Sequence, residues 1–361
     1  MPDAGKKSWF HRALPAITLM LMAPLIAEVL PGATRVSALM GFPAIFIMEV
    51  LIWGTGAVLA RYCVRRFRLG WVNLVLLALA LAVAEECLIQ QTSFASLVVQ
   101  IKGVEYGRAF GFNYVYFTWA ILYEAIFVVC VPVALCEMIF PTHKDGPWLN
   151  IWGIIPLVIL FVPASFAAWY GWNIIARTNS FHLPPYYLPQ NLAMISTVVI
   201  IVLIGLAVGP LRRVLAMPAK PVTPPHPLVL AVLGAAAAGI IFAIEVLAFG
   251  AAPQVPTFVP VAAGIGLGML IMALVPRWMA SPQWTTAHLI AMTFSITWGN
   301  FAFLFVGFGG GVDLYGKVGL DMIGVLLMIW LAIHVRPPSH LLGPTAFEFW
   351  VSPFLDPLVR L

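Results

Sequence analysis

Long apolar stretches, separated by short polar loops, run along almost the whole chain. Each stretch is close to the ~20 residues that a helix needs to cross the hydrocarbon core of a bilayer. The sequence therefore predicts an all-α, polytopic transmembrane helix bundle of about ten spans, forming a single membrane domain over 1–361. The predicted spans are 14–31, 38–60, 71–94, 112–140, 150–173, 190–209, 228–250, 257–276, 284–308 and 318–335.

Basic residues between the spans predict the orientation of the bundle. Successive spans alternate in direction, so the connecting loops fall into two sets. Fourteen of the 19 Lys and Arg residues belong to the set that includes both termini, and five belong to the other set. Cytoplasmic loops carry the excess of basic residues in membrane proteins. We therefore expect both termini in the cytoplasm and the protein in the plasma (cytoplasmic, or cell inner) membrane.

Four segments outside the spans have a distinct composition. Prolines in 210–227 predict an extended cytoplasmic linker, because they prevent a continuous helix. The tail 336–361 contains several aromatic residues and is expected to lie along the cytoplasmic interface. The outer loops 102–108 and 181–189 are expected to be structured, either covering a site or forming an aromatic belt at the membrane surface.

Composition narrows the possible partners. Hydrophobic residues make up 62% of the chain and charged residues 9%, whereas a soluble domain carries about 25% charged residues. The net charge of +5 does not indicate nucleic acid, because the basic residues lie between apolar segments and form no stripe with interleaved aromatics. We expect membrane lipid as a partner, a small solute or ion as a ligand, and no nucleic acid.

Carboxylates within the apolar stretches are the candidate chemistry. Glu49, Glu85, Glu86 and Glu124 each fall well inside a predicted span. A charge at the bilayer centre costs at least ~2.5 kcal/mol, so such residues usually face the bundle interior and serve a function. The helical rise places them about 16, 21 and 18 Å from the starts of their three spans, in one slab near the midplane. No Lys or Arg within a span is expected to pair with them.

Two neighbouring spans are predicted to present polar faces to each other. Glu86 and Gln90 are four residues apart and share a helix face, while Glu85 points about 100° away. The following span contributes Tyr123 and Glu124. Together with Glu49, the residues Glu86, Gln90, Tyr123 and Glu124 form the predicted site for a substrate or an ion.

The pattern Glu85-Glu86-x-x-x-Gln90 resembles the first motif of the CAAX-type (Abi, or CPBP) intramembrane proteases. That family has Glu-Glu-x-x-x-Arg, followed in later spans by histidines that complete a metal-binding or water-activating site. The resemblance implies a membrane-embedded hydrolase with Glu85 and Glu86 as catalytic residues. It covers about ten residues of the chain; Gln90 replaces the Arg, and the later histidine motifs are not found. The nearest forms end in His288 and His334.

Three functions remain open from the sequence. The first is a secondary transporter or ion-coupled permease, favoured by the number of spans and the shared depth of the carboxylates. The second is the hydrolase or protease that would use Glu85 or Glu86 as general base. The third is a non-catalytic subunit of a larger complex, in which protonated glutamates hydrogen-bond between helices. The sequence identifies no metal and no cofactor; His288 and His334 are either interfacial or paired haem ligands.

Overall fold

The computed structural model describes residues 9–96, 105–215, 220–303, 305 and 310–334, and its regular structure is almost entirely helical. Eight of the described helices are long and apolar enough to cross a membrane, which confirms the predicted all-α, multi-pass membrane bundle. These eight helices are α3 (Ala44–Arg66), α4 (Trp71–Ile89), α5 (Tyr114–Ile139), α6 (Ile151–Asn179), α7 (Gln190–Val208), α9 (Pro227–Ala248), α10 (Phe258–Met279) and α12 (Gly311–His334).

The remaining elements are shorter. Helix α1 (Trp9–Pro24) continues as the π-helical turn Leu25–Val29. Its apolar part, Ala13–Val29, is shorter than the eight helices above. One small antiparallel hairpin pairs β1 (Arg108–Ala109) with β2 (Phe112–Asn113). The other elements are α2 (Val36–Gly41), a 3₁₀ turn (Pro141–His143), α8 (Arg212–Leu215) and α11 (Thr286–Phe303).

Each predicted span overlaps a helix, and the span 38–60 overlaps two, α2 and α3, which are separated at residues 42–43. Some helix ends also differ from the apolar pattern. Helix α4 ends at Ile89, before the predicted end at 94, and α12 begins at Gly311 instead of 318. The predicted linker 210–227 contains the short helix α8, and no regular structure occurs over 220–226. The tail 336–361 lies outside the described residues, and the orientation of the termini stays a prediction.

Helix α5 lies at the centre of the bundle. It packs against α1, α4, α9, α10 and α11. Of its most apolar stretch of 18 residues, 78% is buried inside the protein. The corresponding share is 11% for α6, α7 and α10, whose apolar side chains mostly face outward. A helix that is hydrophobic all round is stable in either setting, because lipid solvates the outer faces. Because α6, α7 and α10 face outward, the polar residues of the interior come from α1, α3, α4 and α5.

Wide helical turns interrupt three of the described helices and end two others. They are of the π type, in which an inserted residue breaks the regular backbone hydrogen-bond ladder. Four of them contain a glutamate or directly follow one: Glu28, Glu49, Glu85 and Glu124. The turns are Leu25–Val29, Val50–Gly54, Glu85–Ile89, Glu124–Cys130 and Gly171–Ala176.

A glycine allows the π turn of α3 to approach α1 closely. A Cβ atom at Gly54 would lie 2.1 Å from the carbonyl oxygen of Met20 and 2.8 Å from its Cα. Backbone atoms cannot move aside as the end of a flexible side chain can. Only glycine permits this distance between two membrane helices, and the contact brings Glu49 on α3 towards the end of α1.

We expect Gly54→Ala to destabilise the protein by about 1–3 kcal/mol, because the added methyl group overpacks a helix contact. Gly266→Ala is the matched control, since nothing lies within 4 Å of a Cβ at Gly266 in the interior of α10. The control should leave stability unchanged or raise it by up to about 1 kcal/mol through helix propensity. Denaturation in detergent micelles measures both, and equal shifts for the two variants would contradict the close approach.

Candidate functional site

Carboxyl groups from four helices meet inside the bundle. The charged groups that act most strongly on Glu28 are Glu49, Glu124 and Glu86, and those acting on Glu85 are Glu124, Glu86 and Glu28. Glu28 is half-buried and the other four are buried. We call these five residues the carboxyl cluster. The structure thus brings together Glu49, Glu86 and Glu124 of the predicted binding set with Glu85 and Glu28.

Glu49 and Glu86 lie closer to the ends of their helices than the predicted depth near the midplane. Glu49 is five residues from the first residue of α3, and Glu86 is three from the last residue of α4, which places them about 5–8 Å from those ends. Glu124 is deeper, ten residues into α5, or about 15 Å. The segment 91–95, which follows α4, is itself buried and covers the cluster at this end.

Glu86 accepts hydrogen bonds at both carboxyl oxygens. The Tyr116 hydroxyl donates to its Oε1 at 3.4 Å, and the Thr92 hydroxyl donates to its Oε2. Tyr116 belongs to α5, and Thr92 lies in the buried segment beyond α4. Two hydroxyl donors suit an ionised carboxylate, which can only accept.

Glu49 contacts a partly exposed loop. Its Oε1 accepts a hydrogen bond from the hydroxyl of Thr34, and the Thr34 backbone N–H donates to the carbonyl oxygen of Glu28 at 3.0 Å. Thr34 is half-buried, while its neighbours Ala33 and Arg35 are exposed. Thr34 therefore connects two members of the cluster to the protein surface between α1 and α2.

Glu85 and Glu124 form a pair of carboxyl groups. Their side chains lie within hydrogen-bonding reach of each other, and the Oε2 atom of each is buried without a partner among the described residues. Ionised carboxylates only accept hydrogen bonds, so a bond between two carboxyl groups requires a proton on one of them. Two like charges close together in a buried site disfavour each other. The pair is therefore suited to holding a proton.

Aromatic rings on α5 form a ladder beside the cluster. The successive ring centroids of Tyr116, Trp119, Tyr123 and Phe127 are 5.3, 5.2 and 4.9 Å apart. The Tyr123 hydroxyl donates to the carbonyl oxygen of Ala27 at 2.6 Å, inside the π turn that contains Glu28. Tyr123, predicted as a binding residue, thus contacts the backbone that positions a member of the cluster.

Gln90 occupies a different position from the other predicted residues. It is half-buried at the end of α4, and its backbone N–H donates to the carbonyl oxygen of Glu85 at 2.8 Å. The rotation of 100° per residue that predicts a face shared with Glu86 applies to an α-helix, whereas Glu85–Ile89 is a π turn. Within the described ranges, no hydrogen bond links the side chains of Gln90 and Glu86.

Further buried polar groups surround the cluster. Trp53 lies beside Glu124 and Asn300 lies beside Tyr123; they are 5% and 0% exposed. The indole N–H of Trp53 and both amide atoms of Asn300 lack a well-oriented hydrogen-bond partner in the described part of the chain. Buried polar groups are ordinarily paired. Because these unpaired groups lie beside Glu124 and Tyr123, we assign them to the polar lining of the site. A search for isolated polar or indole groups within apolar stretches would have found them.

One basic residue lies inside a helix although the sequence placed it in a loop. Lys317 directly precedes the predicted span 318–335, whereas in the structure it belongs to α12 and is buried at 1% exposure. Its ammonium group donates to Asp321 Oδ2 at 2.8 Å and to the carbonyl oxygen of Leu30 at 2.6 Å. Leu30 directly follows the π turn that contains Glu28, so Lys317 holds the end of that turn. Sequence reasoning missed this pair, although Lys and Asp at i and i+4 are a known helical pairing.

A second polar network lies at the opposite end of α3 and α5. Glu137 accepts from Arg61 Nε at 2.9 Å and from Arg65 Nε at 2.8 Å. Arg61 is 2% exposed and also donates to the carbonyl oxygens of Lys144 and Gly146. These contacts close the bundle on the side that the sequence predicts to be cytoplasmic.

Histidines contribute to other parts of the fold. His288 contacts the hydroxyl of Thr285 at 2.7 Å and stacks on Trp284. His334 stacks on Trp330, and its Nδ1 lies 2.8 Å from the carbonyl oxygen of the same residue. Over the described ranges, no group of three or more His, Cys, Asp or Glu side chains is arranged to hold a metal ion. His288 also lies beside Pro225 and His226, at the start of α9.

We expect Lys317→Met to destabilise the protein by about 3–5 kcal/mol, because Asp321 would be left as an unpaired buried charge. The double variant Lys317→Met/Asp321→Leu should recover much of this loss, since it removes both charges. Urea or thermal unfolding in detergent micelles measures the difference. A double variant no more stable than the single one would show that the ion pair is not the source of the effect.

Comparisons with known proteins give no match. No family model matches the chain, and neither a curated protein nor a solved structure does. The assignment of class therefore rests on the structure itself: the eight long apolar helices among the described residues make the chain an integral, multi-pass membrane protein. Any more specific function has to be inferred from the residues of the carboxyl cluster.

Proposed function

We propose that the protein is a secondary transporter or ion-coupled permease of the plasma membrane, and that the carboxyl cluster binds the coupling ion. The observation that carries this proposal is the meeting of five carboxyl groups from α1, α3, α4 and α5 in one buried region. Ionisable residues inside membrane proteins are rare because their burial is costly, and they mark ion pathways and proton relays.

Hydrogen bonding within the cluster favours an ion site over structural cross-links between helices. A purely structural glutamate would have each oxygen satisfied by a fixed donor, because an unpaired buried acceptor costs about 1–3 kcal/mol. Glu49, Glu85 and Glu124 each leave one buried oxygen without a partner among the described residues. Acceptors that remain available next to one another can bind an ion or a proton.

The π turns supply the second argument for transport. Turns of this type occur frequently at functional sites, where they widen the helix and free backbone groups. Transporters commonly bind ions where their helices are irregular near the substrate site. Here Glu28, Glu85 and Glu124 lie in such turns and Glu49 directly precedes one. A change in these turns would move the carboxyl groups relative to one another.

The two ends of the bundle give the cluster unequal access to water. Towards one end, Thr34 in a partly exposed loop contacts Glu49. Towards the other end, Arg61, Arg65 and Glu137 tie α3 to α5. Transport by alternating access requires these contacts to open in turn, and the proposal assigns the arginine network as the closed side of this conformation.

A membrane-embedded hydrolase is the weaker alternative. It would use Glu85 or Glu86 as a general base for water, following the resemblance of Glu85-Glu86-x-x-x-Gln90 to the CAAX-type proteases. Both oxygens of Glu86 already accept hydrogen bonds from hydroxyl groups, and Glu85 contacts Glu124. These contacts suit ion binding better than activation of a water molecule.

Uptake into vesicles containing the purified protein tests the transporter. The probes are radiolabelled amino acids, sugars and organic cations, each offered under an imposed proton or sodium gradient. We expect one probe class to accumulate, and we expect Glu86→Gln and Glu124→Gln to abolish gradient-driven uptake. Exchange of labelled for unlabelled solute should continue in both variants, because only coupling to the ion is lost.

The control variant is Glu105→Gln, which changes a carboxylate outside the cluster. Glu105 is partly exposed and pairs with Arg108 in the loop before α5. It should retain the gradient-driven uptake of the parent protein. Parental uptake in both Glu86→Gln and Glu124→Gln, or no uptake of any probe above that of empty vesicles, would contradict the proposal.

A further inference from the structure

We infer that the coupling ion is the proton and that the contact between Glu85 and Glu124 is the place where it is bound. This inference rests on the proposed transport function as far as coupling is concerned. The binding of the proton itself rests on the arrangement of the carboxyl groups and of the donors around them, whatever the protein transports.

Hydroxyl donors divide the cluster into two kinds of carboxyl group. Glu86 accepts from Thr92 and Tyr116, and Glu49 accepts from Thr34. Glu85 and Glu124 have instead a side-chain hydrogen bond to each other. The charged groups that face Glu85 are Glu124 from α5, Glu86 from α4 and Glu28 from α1, and all are carboxyl groups. The donor in this contact has to be a proton held by the pair itself.

Trp53 places a second donor beside Glu124. Its indole N–H is buried on α3 beside Glu124 and has no well-oriented partner in the described structure. An indole N–H can only donate a hydrogen bond. When the shared proton leaves, Glu124 becomes a carboxylate that can accept from Trp53. The pair therefore has two states, each with a donor for Glu124.

The geometry favours a proton over a metal cation. Ions such as Ca²⁺ and Mg²⁺ take six or more ligands, mostly oxygens, at about 2.0–2.6 Å. Over the described residues, no three acidic, histidine or cysteine side chains have a metal-holding arrangement. Two carboxyl groups in hydrogen-bonding contact also leave no space for a cation between their oxygens. A proton needs only this contact.

The proposed step conserves one proton and involves no oxidation or reduction. A proton from water enters beside Thr34 and passes by way of Glu49 and Glu28 to the pair of Glu85 and Glu124. It is held there as the hydrogen of one carboxyl group, bonded to the other. On release, the O–H bond breaks, the proton passes to water on the other side of the membrane, and Glu124 accepts from Trp53.

Infrared spectroscopy of the full-length protein in lipid nanodiscs tests this assignment. At neutral pH, the parent protein should show the C=O stretching band of a protonated carboxyl group, and this band should shift in D₂O. Glu85→Gln and Glu124→Gln should each lose the intensity of one carboxyl group, because the introduced amide donates without an acidic proton. Glu105→Gln should leave the band unchanged.

The outcomes separate the proton site from the transport function. A parent protein without the band, or a band retained at full intensity in both Glu85→Gln and Glu124→Gln, would overturn the assignment. This holds even if a variant fails to fold, because the parent spectrum alone can exclude a protonated pair. Uptake driven by sodium and not by protons would overturn proton coupling while supporting transport. If both variants lose the band and the parent protein transports no probe, the proton site is upheld and the transporter is rejected.

Discussion

The cost of placing carboxyl groups away from water governs the centre of this protein. In a hydrocarbon solvent, each backbone polar group must be satisfied within the protein, and helices achieve this locally. A glutamate side chain has no such local solution and needs donors from other elements. Glu86 obtains them from Thr92 and Tyr116, Glu49 from Thr34, and Glu85 has Glu124. The packing of α1, α3, α4 and α5 follows from these requirements.

The π turn at the end of α1 shows how the rest of the bundle supports the cluster. Its carbonyl oxygen at Ala27 accepts from Tyr123 of α5, and the next residue after the turn, Leu30, accepts from Lys317 of α12. Glu28 lies between these two points. A helix C-terminus leaves carbonyl oxygens unpaired and favours a nearby cation. An irregular helix end is thereby fixed from two sides, and a glutamate is held where other carboxyl groups can reach it.

The bundle separates its charges by sign along α3 and α5. Near one end are Glu49 and Glu124, together with glutamates of α1 and α4. Near the other end, Arg61 and Arg65 surround Glu137. The Lys317–Asp321 pair adds a buried cation, but its charge is balanced within α12. Lys317 therefore does not neutralise the carboxyl cluster. A group of carboxyl groups that is not neutralised by a fixed cation is what a reversible ion site needs.

The sequence by itself determined the class of the protein and most of its candidate site. Burial in lipid depends on each apolar stretch separately, so the helices and the unusual positions of Glu49, Glu86 and Glu124 can be seen in the linear pattern. The π turns, the early end of α4 at Ile89 and the burial of Lys317 were decided by packing between helices. The contact between Glu85 and Glu124 likewise joins residues far apart in sequence on two helices, and no local pattern encodes such a distance. Only the tertiary structure could show that the carboxyl groups meet.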